Sequence, residues 1–303
     1  MAFTAKDVQA LREKTGVGMM ACKNALTEAD GDMDKAIDIL REKGLAAATK
    51  KAGRIAAEGV VLTYTDEAKK VSVMVEVNSE TDFVAKNEEF KSFVMDVAKT
   101  IVESNPADVE ALLAANVAGD TRTVQEHLQD KILAIGENMK IRRFERIEGN
   151  VVTYVHGGGS VGVMVKFDTD DATAQTDAFK AMGKDVAMQV AAMSPTYLDE
   201  ASVPADVIEH EKEILTAQIV EEGKPEAIAQ KIVMGRIGKF YKENCLVDQE
   251  FVKDNKLSVK QYVDSVAKEL GAQIKTVGFV RYAKGEGLEK RQDNFADEVK
   301  NMM

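Results

Sequence analysis

The most suggestive chemical pattern in the sequence is a glycine string, Gly157-x-Gly159-x-x-Gly162, which matches the fingerprint of dinucleotide-binding sites. In such sites a strand precedes the string and a helix follows it, so that amides at the helix N-terminus face a pyrophosphate. Here the string lies between two segments with the residue pattern of strands. An internal repeat places it opposite residues 66–70, which contain no glycine. We therefore predict a turn between strands and no nucleotide site.

The other residues that could perform chemistry are isolated. His127, His156 and His210 lack HExxH spacing and a nearby nucleophile motif, so we expect solvated side chains. Cys22 and Cys245 lack the spacing of metal ligands, and Cys22 is expected to be a small buried helix residue. No G-x-x-x-x-G-K-S/T string for holding phosphates occurs. The sequence thus predicts no enzyme and no bound cofactor or metal.

Composition restricts the partners that we expect. The 303 residues include 40 basic and 51 acidic side chains, a net charge of -11 that repels nucleic acid. The N-terminal stretch is amphipathic without the apolar core of a secretory signal, and no run is long enough to span a bilayer. We expect a cytoplasmic protein whose partners include neither nucleic acid nor a membrane.

Residues 4–44 have the apolar spacing of three short helices. Gly16-Val17-Gly18 separates the first two helices, and Asp32 is the expected N-cap of the third. The basic stretch 50–54 is predicted to be a linker. The chain therefore begins with a compact three-helix module.

Beyond the linker the sequence repeats itself. At an offset of 90 positions, GVVLTY at 59–64 matches GNVVTY at 149–154, and VSVMVEV at 71–77 matches VGVMVKF at 161–167. Each copy is predicted to be a hairpin followed by a helix. The first copy has the alternation of a half-buried strand in Val71, Val73, Val75 and Val77. It has the spacing of a helix lying on that strand in Phe90, Val94, Val97 and Ile101.

An insertion interrupts the second copy. Two charged helices are predicted at roughly 206–222 and 225–242, forming an antiparallel arm. Their apolar faces are expected to meet through Ile208, Leu215 and Ile219 on one helix and Ile228, Ile232 and Ile237 on the other. A helix around 258–270, a strand around 274–282 that completes the second sheet, and a peripheral helix around 294–302 follow. The fold class is α+β.

The two copies differ most after the hairpin, where Glu80-Thr81-Asp82-Phe83-Val84 stands opposite residues 170–173. Two interpretations remain open. Thr81 or Asp82 caps the next helix while Phe83 staples it to the sheet, or Phe83 is an aromatic anchor aimed at a partner.

Met19 and Met20 directly follow the first glycine break. Two adjacent apolar side chains are more than so small a module can bury comfortably. We expect one methionine to pack inward and the other to form an adaptable apolar patch for a partner.

Several strings resemble the elongation factor Ts family over essentially the whole chain. TGVGMM at 15–20 with CKNAL at 22–26 is similar to its first signature, and EVNSETDFV at 76–84 to its second. IGEN at 135–138 and IRR at 141–143 lie between the repeats. One departure is Ala21, where relatives commonly carry aspartate, which leaves the fine detail of that loop open.

The resemblance implies an α+β fold of hairpin-plus-helix subdomains with antiparallel sheets. The expected parts are a ubiquitin-associated-like module with its linker at 1–54, a core N-subdomain at 55–145, and a core C-subdomain at 146–205 and 243–283. The helical arm occupies 206–242 and a C-terminal module 284–303. In related proteins the comparable arm contributes to dimerisation, so a homodimer is expected through it.

The resemblance also implies a partner and an activity. The family binds elongation factor Tu in its GDP-bound and nucleotide-free states, disturbs the magnesium and phosphate site, and releases GDP so that GTP can enter. Asp82 and Phe83, flanked by Thr81 and Val84, match the residues pushed between helices of the Tu GTPase domain. The residues that match further contacts with Tu are Arg12, Met19, Met20, Ile135 and Gly136.

Two rival classes are weighed against an exchange factor. A ubiquitin-associated-type adaptor without exchange activity would bind its partner through residues 1–54 alone, and the repeated core argues against it. A metabolic α+β enzyme would need a catalytic cluster or cofactor motif, and the sequence contains neither.

Overall fold

A computed structural model describes residues 3–222 and 226–289, with side chains in the second range from Gln230 onward. It is a mixed fold of helices and antiparallel sheets, so the predicted α+β class is confirmed at that level. The chain divides into two compact units. The first comprises the described residues up to Arg146, Val155–Val161 and the residues from Tyr282 onward, and the second comprises Ile147–Tyr154 and Gly162–Arg281. The helix predicted at 294–302 lies outside the described residues.

The three predicted N-terminal helices are present as α1 (Ala5–Thr15), α2 (Met19–Glu28) and α3 (Met33–Lys51). Gly16, at φ +70°, ends α1, and the Asp32 carboxylate caps α3 by accepting from two backbone amides. Cys22 is buried in the core of this module, as expected. Residues 50–51 are helical, so the prediction of a linker from residue 50 was wrong there. The reason is that lysine favours helix and Ala48, one turn earlier, is anchored against the neighbouring core.

The first hairpin pairs β1 (Glu58–Asp66) with β2 (Val71–Ser79) in antiparallel register from Glu58 opposite Ser79 to Asp66 opposite Val71. A short helix, α4 (Asp82–Lys86), and a long helix, α5 (Glu88–Ser104), follow. The predicted apolar faces of β2 and α5 meet in one buried core, as expected from their two periodicities. The residues that meet are the four valines of β2 and, on α5, Phe90, Val94, Val97 and Ile101.

The prediction that β2 is half-buried was wrong, because every residue of β2 is buried. After α6 (Val109–Ala114) and α7 (Val124–Ile135), the chain forms β3 (Met139–Glu148), and the sheet order β1-β2-β3 makes β2 the central strand. The buried carboxylate of Glu76 accepts from Arg142 at 3.0 Å, Arg143 at 2.6 Å and the Gly285 amide at 2.8 Å. Burial alone would raise the pKa of Glu76, but these donors together lower it.

The second hairpin consists of β4 (Asn150–His156) and β5 (Val161–Asp168), followed by α8 (Asp171–Ala174) and α9 (Asp177–Met193). The first two glycines of the string, Gly157 and Gly159, lie in the turn between β4 and β5 with φ values of +56° and +104°, and Gly162 lies in β5. The predicted turn is therefore confirmed. Phe179 of α9 is buried edge-to-face against Phe167 with ring centroids 5.3 Å apart.

The inserted segment forms α10 (Ala205–Glu221) and α11 (Glu226–Asn244). Leu215 and Ile219 pack against Val233 and Ile237, with Ile232 partly buried beside them. Of the other residues expected at this contact, Ile208 is half-buried and is not in this cluster as the structure describes it. The side chain of Ile228 lies outside the described part.

The remaining elements are a small hairpin, β6 (Glu250–Phe251) with β7 (Asp254–Ser258), then α12 (Val259–Leu270) and β8 (Lys275–Ala283). β8 joins the second sheet in the order β4-β5-β8, which confirms the predicted third strand. Across the described ranges, no helix combines the length and apolarity needed to cross a membrane.

Candidate partner-binding site

Phe83 is the most exposed large apolar residue in the described part of the chain, with 80% of its surface accessible. It is the second residue of α4, whose next two residues, Val84 and Ala85, are buried in the core. Since a helix turns by about 100° per residue, burial of Val84 and Ala85 directs Phe83 outward. The interpretation of Phe83 as a staple to the sheet was wrong. The geometry is that of an aromatic side chain presented to solvent.

The exposed ring lies on a capped turn. Thr81 is the N-cap residue, and its hydroxyl accepts from the Val84 amide at 3.4 Å. Asp82 lies in the first turn and forms an ion pair with Lys86 at 2.6 Å. The hydrogen bond from Lys86 lowers the pKa of Asp82. The Lys86 ammonium is also 6.0 Å from the centroid of the Phe83 ring. Polar interactions thus fix the turn around an apolar tip.

A second segment braces this turn from outside. Glu137 accepts from the Thr81 amide at 3.0 Å and from the Thr81 hydroxyl at 2.6 Å. In return, the Asn138 amide donates to the Glu80 carboxylate at 2.6 Å. Asn138 also donates to the backbone carbonyl of Arg54 at 2.8 Å, and Arg54 is 3.4 Å from Glu80. The turn before α4 and the loop after α7 are therefore tied together through reciprocal bonds.

Ile135 and Gly136 belong to the same brace. Ile135 is the last residue of α7 and is partly buried against the core formed by β2 and α5. Gly136 ends the helix at φ +87°, and its amide donates to the Ile132 carbonyl at 3.0 Å. Because Glu137 directly follows Gly136, the structure brings Ile135 and Gly136 to the turn that carries Phe83.

Sequence reasoning gave no role to Glu137, Asn138 or Arg54. Two signals were nevertheless present in the sequence. Glutamates occur in both matching strings, at Glu80 and Glu137, and short polar residues adjoin them. No local spacing, however, showed that the two strings hydrogen-bond to each other.

The internal repeat provides a built-in comparison for Phe83. In the second copy, Asp170 caps α8 by accepting from the Thr173 amide at 2.9 Å. With Phe179 aligned to Phe90, the residue opposite Phe83 is Ala172, which is exposed. Both copies therefore have the same capped turn with an outward second residue. Only the first copy has an aromatic side chain there, so the fold itself does not require one.

The N-terminal module presents another part of the predicted surface. Met19 and Met20, the first residues of α2, are 43% and 66% exposed, so the expectation that one packs inward was wrong. The module's small core is already filled by residues such as Leu11 and Leu26, which are fully buried. The methionines line an open groove of about 390 Å³ together with Phe3, Thr4, Ala5, Val8 and Lys23.

Arg12 and Ala21 complete this part of the chain. Arg12 is exposed in the last turn of α1, where a cation suits the negative end of the helix dipole. Ala21 is partly buried against the module's core. Met19 and Met20, which directly precede Ala21, are exposed although Ala21 departs from the family pattern.

Comparisons with known proteins identify the family of this chain. The family described as elongation factor TS matches residues 80–286, a range that starts at Glu80. Elongation factor Ts of Clostridium kluyveri is 51% identical over 99% of each chain. Elongation factor Ts of Clostridium perfringens is 52% identical over 99% of each chain, and that of a Nitratiruptor species is 51% identical over 100% of each. The chain belongs to the elongation factor Ts family.

The histidines differ in their environments. His156 and His210 are exposed, but His127 is buried, so the expectation of a solvated side chain was wrong for His127. Its ring packs edge-to-face on Phe93 with centroids 5.3 Å apart, and its Nδ1 atom is buried without a hydrogen-bond partner. Burial lowers the pKa of His127, and the nearby cations Arg122 and Lys131 lower it further. His127 is a buried residue whose surroundings favour the neutral form.

Proposed function

We propose that this chain is the nucleotide exchange factor for elongation factor Tu, and that Phe83 is the side chain it inserts into Tu. The proposal is supported by membership of the elongation factor Ts family and by one observation above all. Phe83 is 80% exposed on a braced turn, and the equivalent turn of the second copy carries only Ala172. An exposed aromatic ring on a rigid turn is the usual form of an interface anchor.

Exchange is a coupling of free energies between two ligands of Tu. The factor must bind nucleotide-free Tu more tightly than GDP-bound Tu, and GDP must reciprocally weaken binding of the factor. A ring that fits only when the helices around the magnesium and phosphate site have moved apart provides this difference. The turn from Thr81 to Val84 would then disturb that site, GDP would leave, and GTP would enter.

We assign the other exposed residues to the contact with Tu. The groove at Met19 and Met20, together with Arg12 on α1, would hold a helix of the Tu GTPase domain. Its apolar lining suits such a helix because methionine side chains adapt to irregular surfaces. Ile135 and Gly136 would contact Tu next to the Phe83 turn.

We retain the division of the chain at 54, 145, 205, 242 and 283 as part of this proposal. In it the arm at 206–242 serves self-association, because Val220 and Met234 are 62% and 63% exposed on its two helices. Exchange requires no covalent chemistry. We therefore propose a non-catalytic factor.

The direct test measures release of fluorescent GDP from Tu after excess unlabelled GDP is added, with and without the chain. The proposal expects release to accelerate with concentration of the chain and then to saturate. An adaptor without exchange activity would bind Tu and leave the release rate unchanged. That result would refute the proposed function.

A further inference from the structure

We infer that Glu137 is a positioning residue for exchange: its carboxylate holds Thr81, and through Thr81 it fixes the direction in which Phe83 is presented. This inference rests on the proposed exchange function. Glu137 accepts both donors of Thr81, the amide at 3.0 Å and the hydroxyl at 2.6 Å. The shorter bond has the length of a charge-assisted O–H···O⁻ bond.

The geometry gives Glu137 control of the helix cap. A hydroxyl has one hydrogen and two lone pairs. When the Thr81 hydroxyl donates its hydrogen to Glu137, its lone pairs remain free to accept from the Val84 amide. An acceptor that lies outside α4 therefore fixes the rotation of the hydroxyl that caps α4. Since α4 has only five residues, its orientation depends strongly on that cap.

The second copy shows a different arrangement. There the cap residue Asp170 receives both the amide and the hydroxyl of Thr173, at 2.9 Å and 2.7 Å, within its own turn. A turn of this shape is thus built locally in one copy and braced by a distant residue in the other. The braced copy is the one that carries the exposed aromatic ring. This contrast favours a role for the brace in presenting Phe83.

The same bonds join two parts of the proposed contact with Tu. Glu137 adjoins Gly136, and Asn138 returns a bond to Glu80 at 2.6 Å. Binding at Ile135 and Gly136 would therefore hold the Phe83 turn in place through a chain of two residues. With the turn already ordered, insertion of the ring loses less conformational freedom than insertion from a loose loop.

The first experiment tests the brace in the chain alone. The sequence contains no tryptophan, so Phe83→Trp introduces a single reporter at the tip of the turn. Adding Glu137→Gln replaces one of the two carboxylate oxygens that accept from Thr81 with an amide group. The indole should then move more freely and show a larger nanosecond component in its anisotropy decay. An unchanged decay would overturn the inference without any reference to Tu.

The second experiment measures exchange. Glu137→Gln should lower the maximal rate of GDP release at saturating factor about tenfold, whereas the half-saturating concentration should change less than about threefold. Thr81→Val removes the same hydroxyl bond from the other side. Adding Glu137→Gln to Thr81→Val should therefore cause little further loss, because the two residues act through each other. Losses that multiply would overturn the inference.

Glu126→Gln is the matched control. Glu126 accepts from the amide and the hydroxyl of Thr123 at 2.8 Å and 3.1 Å, in a capping box on α7. This substitution removes the same kind of bond and should leave both the indole decay and the release rate within about twofold of the parent. If Glu126→Gln slows release as much as Glu137→Gln does, the effect is general destabilisation and the inference fails. If the parent chain does not accelerate release of GDP from Tu, the proposed function is refuted. The fluorescence experiment still tests the brace in that case.

Discussion

Phe83→Ala separates a role in binding from a role in folding. Truncation of a fully buried phenylalanine destabilises a protein by about 3–5 kcal/mol. Phe83 is 80% exposed, so only about a fifth of that burial is present. We therefore expect the free energy of unfolding to fall by about 1 kcal/mol or less. Truncation of a central aromatic anchor typically lowers binding by about 2 kcal/mol or more.

The assay for binding is release of fluorescent GDP from Tu at a fixed concentration of factor. A loss of about 1.4 kcal/mol in differential binding slows release about tenfold. We expect Phe83→Ala to slow release by at least that factor. In thermal unfolding it should melt within a few degrees of the parent.

Phe179→Ala is the control, because Phe179 is 2% exposed and packs against Phe167. It should show the opposite pattern, with a loss of about 3–5 kcal/mol in folding stability. If Tu released GDP as fast with Phe83→Ala as with the parent chain, the inserted side chain would have to be sought elsewhere, first at Met19 or Met20. If Phe83→Ala instead melted as early as Phe179→Ala, the exposed position would be contradicted.

Three further predictions use other parts of the chain. Calorimetry of the chain alone should detect no micromolar binding of GDP or GTP, since the sequence lacks a phosphate-binding loop. Deletion of 206–242 should leave the rest folded and exchange largely intact while lowering the mass in light scattering; a misfolded product would show that the arm is integral to the core. Because burial lowers the pKa of His127 from 6.5, the folded state binds fewer protons than the unfolded state. Stability should therefore fall as the pH falls below about 6.5, and His127→Asn, unlike the exposed control His210→Gln, should flatten this dependence in urea unfolding.

The internal repeat made much of the fold predictable. Two copies of one pattern give two independent records of the same periodicity, so the strands at 71–77 and 161–167 supported each other. The repeat also corrected a misleading motif, because the stretch opposite Gly157 and Gly159 has no glycine. The apolar faces of the inserted helices could be predicted from local periodicity, because Leu215 and Ile219 lie one helical turn apart.

β3 could not be predicted in this way. Its sequence, MKIRRFERIE, contains too many charges for the pattern of a buried strand. Arg142 and Arg143 can lie in β3, next to the central strand, because Glu76 is buried there and accepts hydrogen bonds from both. A buried charge is stable only with such partners. Arg142 and Arg143 lie 66 and 67 residues from Glu76 in the sequence. Local patterns contain no information about that pairing.

The residues of the candidate site could be proposed from the sequence, but their geometry could not. A threonine followed by a short apolar stretch predicts a capped turn, and Thr81 is the cap. Whether Phe83 faces the sheet or solvent depends on which neighbours fill the core, and Val84 and Ala85 fill it. The same holds for Met19 and Met20, which remain outside because other residues already occupy the module's core.

If the turn that carries Phe83 is rigid, Phe83 has the same arrangement before and after binding. The free energy that drives exchange must then arise from a difference between states of Tu. A loose turn would adjust to GDP-bound and nucleotide-free Tu alike, and equal binding to two states shifts no equilibrium. The hydrogen bonds that Thr81 donates to Glu137 oppose such adjustment. In the proposed mechanism, a rigid turn would make the ring fit poorly when the helices around the phosphate site are closed and well when they are open. Under the proposed function, rigidity of the factor would therefore allow the exposed Phe83 to discriminate between the two states of Tu.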